Sequence, residues 1–256
     1  MKTGTIVLAQ HSGSPGERRM AERCAGFLES RGRKNVRIAY HYGSPRSEDV
    51  MARMFDDGVD TFAIVPLSIS EGRMTVWLMP DAMGLPDNCG SWTMMGGRDV
   101  ATRFATALGR DPAMASALAE REGEPVEGTA VLVLAHGSSH SQCARTSEFY
   151  ADALRRAGWR AECAYCRHGR GIKDAVSSLA EEGYGRIRVV PLFIAFDGRS
   201  ASEARGILRD AGVEVEYSEP VSEIPLYLET LDAKVPEGWR GPAPQTCFMM
   251  RPIGRA

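Results

Sequence analysis

The chain has 256 residues, 43% hydrophobic and 25% charged, an ordinary globular composition. That length allows two units of roughly 100–130 residues, each with a core of its own. A formal net charge of −2 gives no general basis for binding nucleic acid or an anionic membrane surface.

The opening MKTGTIVLAQHSGS holds a short apolar run that reads as a first strand, Thr5–Gln10, of the continuous type buried on both faces. It lacks the h-region and small-residue cleavage site of a signal peptide. No stretch reaches the roughly 18 apolar residues of a membrane span, so a cytoplasmic location is expected. Met20, Cys24, Phe27 and Leu28 then recur at helical spacing, followed by a strand at Val36–His41. Val50, Met51, Met54 and Phe55 mark the next helix, Thr61–Leu67 a third strand, and Ser91–Met95 a fourth. REGEPVEG at 121–128 is rich in turn formers and reads as a linker. Beyond it come a strand at Ala130–Ala135, a helix carrying Cys143, Tyr150 and Leu154, and a strand within Arg160–Arg167. Ile172, Ala175, Val176, Leu179 and Ala180 give a further helix, and Ile187–Leu192 and Val213–Tyr217 two more strands. The tail from Pro236, PEGWRGPAPQ onward, has no period and reads as an irregular extension.

The two series match in register. His11 and His136 lie 125 residues apart (136 minus 11), and the same offset pairs Tyr40 with Tyr165 and Val65-Pro66-Leu67 with Val190-Pro191-Leu192. One register held across three separated blocks indicates an internal duplication. The expected architecture is α/β: two lobes, 1–120 and 129–256, each a parallel sheet of about four strands flanked by helices, with a cleft between them.

In such sheets ligands bind beyond the carboxyl ends of the strands. His11 and His136 end the first strand of each half and open small-residue loops, Ser12-Gly13-Ser14 and Gly137-Ser138-Ser139. A neutral imidazole there can ligate a divalent metal or accept a proton; a bland reading is a turn histidine bonded to nearby backbone. The loops, with Ser12 and Ser138, could instead hold phosphate or carboxylate, although neither matches a nucleotide motif. After the third strand of each half stand Glu71-Gly72-Arg73 and Asp197-Gly198-Arg199. Carboxylates can bind metal or take up a proton, and arginines can hold substrate carboxylates, unless these are surface acid–Arg pairs. His41 and His168 are candidate rim ligands that do not match each other, since His41 pairs with Cys166 at the common offset. His140 is better explained as the start of a helix. Met74, Met79, Met83, Met94 and Met95 with Trp77 and Trp92 would suit an apolar wall for a flat ligand, or ordinary core. Six scattered cysteines fit a reduced compartment. Cys163 and Cys166 form a C-x-x-C inside a strand, whose period of two turns their thiols to opposite faces.

LAHGSS at 134–139, LAQHSGS at 8–14 and VVPLFIAFDG at 189–198 resemble motifs of the class II tetrapyrrole chelatases, the sirohydrochlorin cobaltochelatase family of cobalamin biosynthesis. The resemblance covers roughly 4–85 and 129–218. It implies a bilobal fold with an open cleft, and insertion of Co²⁺, or in relatives Ni²⁺ or Fe²⁺, into sirohydrochlorin without ATP. The divalent metal is then a substrate, no organic cofactor is implied, and one chain suffices for the cleft while a homo-oligomer is allowed. By position, His11 and His136 correspond to the metal-binding histidine of the first motif. Glu71 and Asp197 become proton acceptors, and Arg73 and Arg199, with Arg167 or Arg170, partners for the tetrapyrrole's carboxylates. The family's second histidine, in G-x-H eight residues after the proline, is absent twice: Pro66 leads to Met74 and Pro191 to Arg199. Two other readings remain, a non-catalytic tetrapyrrole or metal carrier on the same fold, and a small-molecule-binding α/β protein without metal.

Overall fold

The computed structural model describes residues 2–85, 92–95 and 98–235, with the side chains of 92–95 excepted. The tail from Pro236, Cys89, Cys247 and Ser91, and the side chains of Trp92, Met94 and Met95, lie outside the described residues.

The first sheet takes its strands from β1 (Thr3–His11), β2 (Val36–Tyr42), β3 (Thr61–Pro66), β4 (Trp92–Met95) and β5 (Arg98–Phe104), in the order β2-β1-β3-β5-β4. Helices α1 (Pro15–Ser30) and α2 (Ser47–Asp56) cross between the first three strands. Ile6, Val7, Leu8 and Ala9 of β1 are wholly buried, as a central parallel strand covered on both faces requires. At about 1.5–3 kcal/mol for each large aliphatic withdrawn from water, this strand is a main anchor of the core. Met51, Met54 and Phe55 of α2 close one face over it, and Met20, Cys24 and Leu28 of α1 are buried as their helical spacing predicts.

The fourth parallel strand is β5, not the Met-rich segment ending at Met95. That segment, β4, pairs antiparallel with β5 and forms the edge. Arg98, Asp99 and Arg103 break up the apolar run of β5, yet Val100, Ala101 and Phe104 are buried and Thr61–Ile64 pair with Ala101–Phe104 in parallel. Between β3 and β4 the chain forms a π-helical turn, Met74–Leu78, that runs directly into α3 (Met79–Ala82).

Helix α4 (Pro112–Glu122) precedes the second sheet, so Arg121 and Glu122 of the expected linker are helical. That sheet has the order β7-β6-β8-β9, all parallel, from β6 (Thr129–Ala135), β7 (Ala161–Tyr165), β8 (Arg186–Leu192) and β9 (Glu214–Tyr217). Helices α5 (Ser141–Arg156), α6 (Ile172–Glu181), α7 (Arg199–Arg209) and α8 (Leu226–Ala233) follow among the described residues. The parallel order 2-1-3-4 thus occurs twice, and the duplication read from the sequence is a duplication of topology.

Packing divides the chain differently from the repeat. Of the described residues, those within 2–68, 73–107 and 228–235 form one compact unit and those within 69–72 and 108–227 the other. The exchanged pieces are held by specific contacts. In the first unit Asp232 of α8 pairs with Arg33 at 2.8 Å, and the Lys234 ammonium donates to the Ala107 carbonyl at 2.6 Å. In the second, Glu122 at the end of α4 is almost fully buried between Arg121 (2.8 Å) and the Ser218 hydroxyl, which donates to it at 2.6 Å. Residues 121–128 mark where the repeat restarts, while the boundary between packed units falls earlier. Among the described residues no helix is long and apolar enough to cross a membrane.

Candidate functional site

In the order 2-1-3-4 the crossovers leave the first strand in opposite directions, so the crevice lies beyond the ends of the first and third strands. In the first unit that is the end of β1, where His11 is exposed. Its backbone is fixed from three sides. Ser14 caps α1 by accepting the Glu17 N–H at 3.1 Å, and the Glu17 carboxylate accepts the N–H groups of Gln10 (3.1 Å) and His11 (2.7 Å). Ser12 N–H donates to the Tyr42 carbonyl at 3.0 Å. Ser14-Pro15-Gly16-Glu17 is an S-x-x-E capping pattern, a sequence signal for Glu17 that is independent of any metal-ligand spacing.

β1 and β2 run parallel with His11 opposite Tyr42. The two rings stack with centroids 5.1 Å apart at 24°, and His41 meets Tyr42 edge-on at 4.3 Å. His41 is 7% exposed, and its Nδ1 has no hydrogen-bond partner among the described residues. Burial holds this imidazole below its ordinary pKa, against the nearby Glu48 carboxylate, with Arg46 and His11 adding to the lowering. A neutral second imidazole therefore stands beside the strand-tip histidine. Sequence spacing alone gave His41 only a rim position.

In the second unit His136 directly follows β6 and is exposed. Its Nδ1 lies 3.0 Å from the Gly137 carbonyl, which places the proton on Nδ1 and leaves Nε2 a free lone pair. The His136 carbonyl accepts the Arg167 N–H at 2.8 Å. Gly137 has φ +84°, and a Cβ there would lie 1.6 Å from the Arg167 carbonyl oxygen, so only glycine fits. The corresponding contact in the first unit has changed sides: Ser12 carries the side chain and Gly43, φ +119°, yields the space, its absent Cβ falling 1.8 Å from Ser12 Oγ. The loop shift between LAQHSGS and LAHGSS preserves one close approach with the small residue exchanged.

Other expected site residues fall as follows. Ser12 Oγ accepts the Ser44 N–H at 3.3 Å and Ser138 Oγ the His140 N–H at 3.1 Å, so both hydroxyls tie their own loops. His140 is the N-cap of α5, its Nδ1 accepting from Gln142 N–H at 3.4 Å. Ile69–Gly72 packs in the second unit, where the Gly109 N–H donates to the Ile69 carbonyl at 2.8 Å and Ser138 borders Gly72. The half-buried Glu71 is thereby brought next to the loop that follows His136. Asp197 and Arg199 are exposed at the start of α7. Arg199 Nε donates to Glu203 at 2.9 Å, and Arg167 donates to the same carboxylate at 2.7 Å; these bonds hold Glu203 below the usual carboxylate range. Arg170 pairs with Glu162, and Arg73 is exposed. Met74, at the position of the first missing histidine, packs on the core of the first unit. Among the described residues no group of three or more His, Cys, Asp or Glu is clustered to hold a metal by itself.

The two thiols of the C-x-x-C meet different helices. Cys163 is buried near Glu148 of α5, while Cys166 Sγ approaches the Ser200 carbonyl of α7 at 3.8 Å. Burial pushes the Cys163 thiol well above its ordinary range and Cys166 up to about 11, the reverse of a reactive pair.

The CbiX family model matches residues 5–124 and 130–238, one copy on each half. The chain belongs to the CbiX family. Its double match reproduces the duplication and takes in His11, His136 and both strand-end acid–Gly–Arg segments. SirB from Bacillus subtilis with Fe³⁺ is similar in fold at a TM-score of 0.71 and 17% identity, over 92% of this chain and 94% of that one. CbiX, described as the terminal enzyme for biosynthesis of siroheme in denitrifying bacteria, gives 0.58 and 20%, over 92% and 98%. DR2241 from Deinococcus radiodurans, a multi-domain protein with structural similarity to chelatases, gives 0.66 and 24%; it covers 94% of this chain, which spans 56% of that protein's length. No curated protein matches the sequence.

Proposed function

We propose that this CbiX-family protein inserts a divalent metal, Co²⁺ or alternatively Ni²⁺ or Fe²⁺, into sirohydrochlorin or a related carboxylate-rich tetrapyrrole. The observation that carries the proposal is the repetition of one arrangement: in each unit an exposed imidazole stands at the end of the first, central strand, where open parallel sheets bind ligands. His136, with its proton held on Nδ1 by the Gly137 carbonyl, offers Nε2 as a metal ligand, and His11 presents an exposed imidazole in the first unit.

The reaction exchanges two pyrrole protons for one M²⁺ and leaves every oxidation state unchanged. Glu71, beside the loop after His136, and Asp197 are the proposed proton acceptors. Arg73 and Arg199, with Arg167 and Arg170 on the same unit as Arg199, are the proposed partners for the substrate's carboxylates. Arg199 and Arg167 share Glu203 in the free protein, so a substrate carboxylate would take that anion's place.

Mixing the protein with sirohydrochlorin and each metal, and following the Soret and Q bands, tests the proposal. Faster conversion than in protein-free buffer is expected with at least one of Co²⁺, Ni²⁺ and Fe²⁺. A shifted spectrum without insertion would instead make the protein a carrier, and no binding of metal or tetrapyrrole would leave an α/β protein of other specificity.

A further inference from the structure

The two strand-tip histidines are oriented by different means. His136 has the usual device of a metal-binding imidazole, a hydrogen bond from the ring nitrogen that does not face the metal. His11 has no such bond among the described residues. What touches its ring is Tyr42, stacked at 5.1 Å and 24°. The common offset explains the difference: Tyr42 corresponds to Arg167, whose guanidinium is turned to Glu203. Tyr42 is 46% exposed, so its ring is accessible at the surface beside His11. Its ring also meets His41 edge-on, so the same side chain separates the exposed imidazole from the buried one.

We propose that Tyr42 is a positioning residue for metal binding, holding the His11 imidazole by ring stacking in place of the missing hydrogen bond. The ring face does the work and the hydroxyl does not. The inference rests on the reading of His11 as a metal ligand. A single-bonded imidazole at a strand end otherwise samples several χ1 and χ2 values, and each misdirects the nitrogen lone pair. Stacking on a neighbour fixed by strand register restricts the ring plane before the ion arrives.

The test uses the full chain and Co²⁺ alone as probe, comparing Tyr42→Ala, Tyr42→Phe and His11→Ala by visible absorption and titration calorimetry, with NMR of the metal-free His11 ring. Tyr42→Ala is expected to weaken Co²⁺ binding about tenfold, within the range for lost orienting partners. It should also abolish the ring-current shift of the His11 carbon-bound protons, with an unchanged thermal midpoint. Tyr42→Phe should restore both affinity and shift, which a general loss of packing would not single out. If His11→Ala weakens binding and Tyr42→Ala does not, the positioning role is overturned while His11 stands. If His11→Ala itself leaves Co²⁺ binding intact, the assignment of His11 falls and the role of Tyr42 with it. Failure of Phe to rescue would move the role to the hydroxyl and overturn the stacking account.

Discussion

Gly137→Ala probes the loop that presents His136. The residue has φ +84°, and its added Cβ would meet backbone: the Arg167 carbonyl oxygen at 1.6 Å, its carbon at 2.7 Å and the His168 oxygen at 3.1 Å. No side chain can swing away to relieve this, so the segment after β7 must move. A left-handed conformation costs alanine about 1–2 kcal/mol. Moving the segment endangers the bonds from Arg167 N–H to His136 and from Cys166 N–H to Ala135, at roughly 0.5–1.5 kcal/mol each. The sum is a loss of about 2–5 kcal/mol, readable as a lower urea midpoint. Gly13→Ala, with nothing within 4 Å of its added Cβ, is the control and should stay within about 0.5 kcal/mol of the parent. In the first unit Gly43→Ala meets mainly the Ser12 side chain, so Ser12→Gly should recover part of its loss, whereas no side-chain truncation should rescue Gly137→Ala. A Gly137→Ala protein as stable as Gly13→Ala would refute the close-approach argument and, with it, the exchanged-glycine account of the two loops.

Glu203→Gln should flatten the acid limb of the stability curve. The arginine hydrogen bonds depress the folded pKa below the unfolded one, so the wild-type contribution is present above pH 4.5 and lost as pH falls through the folded value. Urea midpoints of wild type and variant should converge as the pH falls below 4.5, and parallel curves would dismiss the carboxylate. Peptide-resolved thiol labelling at pH 8 should find Cys166 about 100-fold slower than an ordinary thiol, from its lower thiolate fraction, and Cys163 slower still. Rapid labelling of either, or a disulfide between them, would contradict the inertness that burial gives these thiols. His136→Ala should cost more insertion activity than His11→Ala, because His136 keeps the family register more closely; equal losses would point to a symmetric pair.

Repetition is what made the fold readable. Apolar runs at a constant offset identify β1, β3, β6 and β8 because buried parallel strands leave little choice but aliphatic residues. β5 was hidden because its exposed edges carry Arg98, Asp99 and Arg103, and the Trp- and Met-rich stretch before it offered a stronger apolar signal. The strand-end histidines were visible for the same reason as the strands, by their offset. The His11–Tyr42–His41 cluster was not, since cross-strand register decides which rings meet and spacing along one strand does not carry that information. Nor does spacing reveal that Glu71 packs with the second unit beside Ser138, a consequence of how short segments and terminal helices are exchanged between packed units.

The most direct measurement is the rate of metal insertion into sirohydrochlorin by the doubly substituted His11→Ala, His136→Ala protein, at the metal for which the parent is fastest. Loss of either ligand should lower metal affinity by at least the roughly 10–100-fold that losing an orienting partner costs, so the double variant at sub-saturating metal should fall to the protein-free rate while keeping its fold by circular dichroism. Undiminished insertion by that variant would contradict the assignment of the strand-tip histidines to the metal.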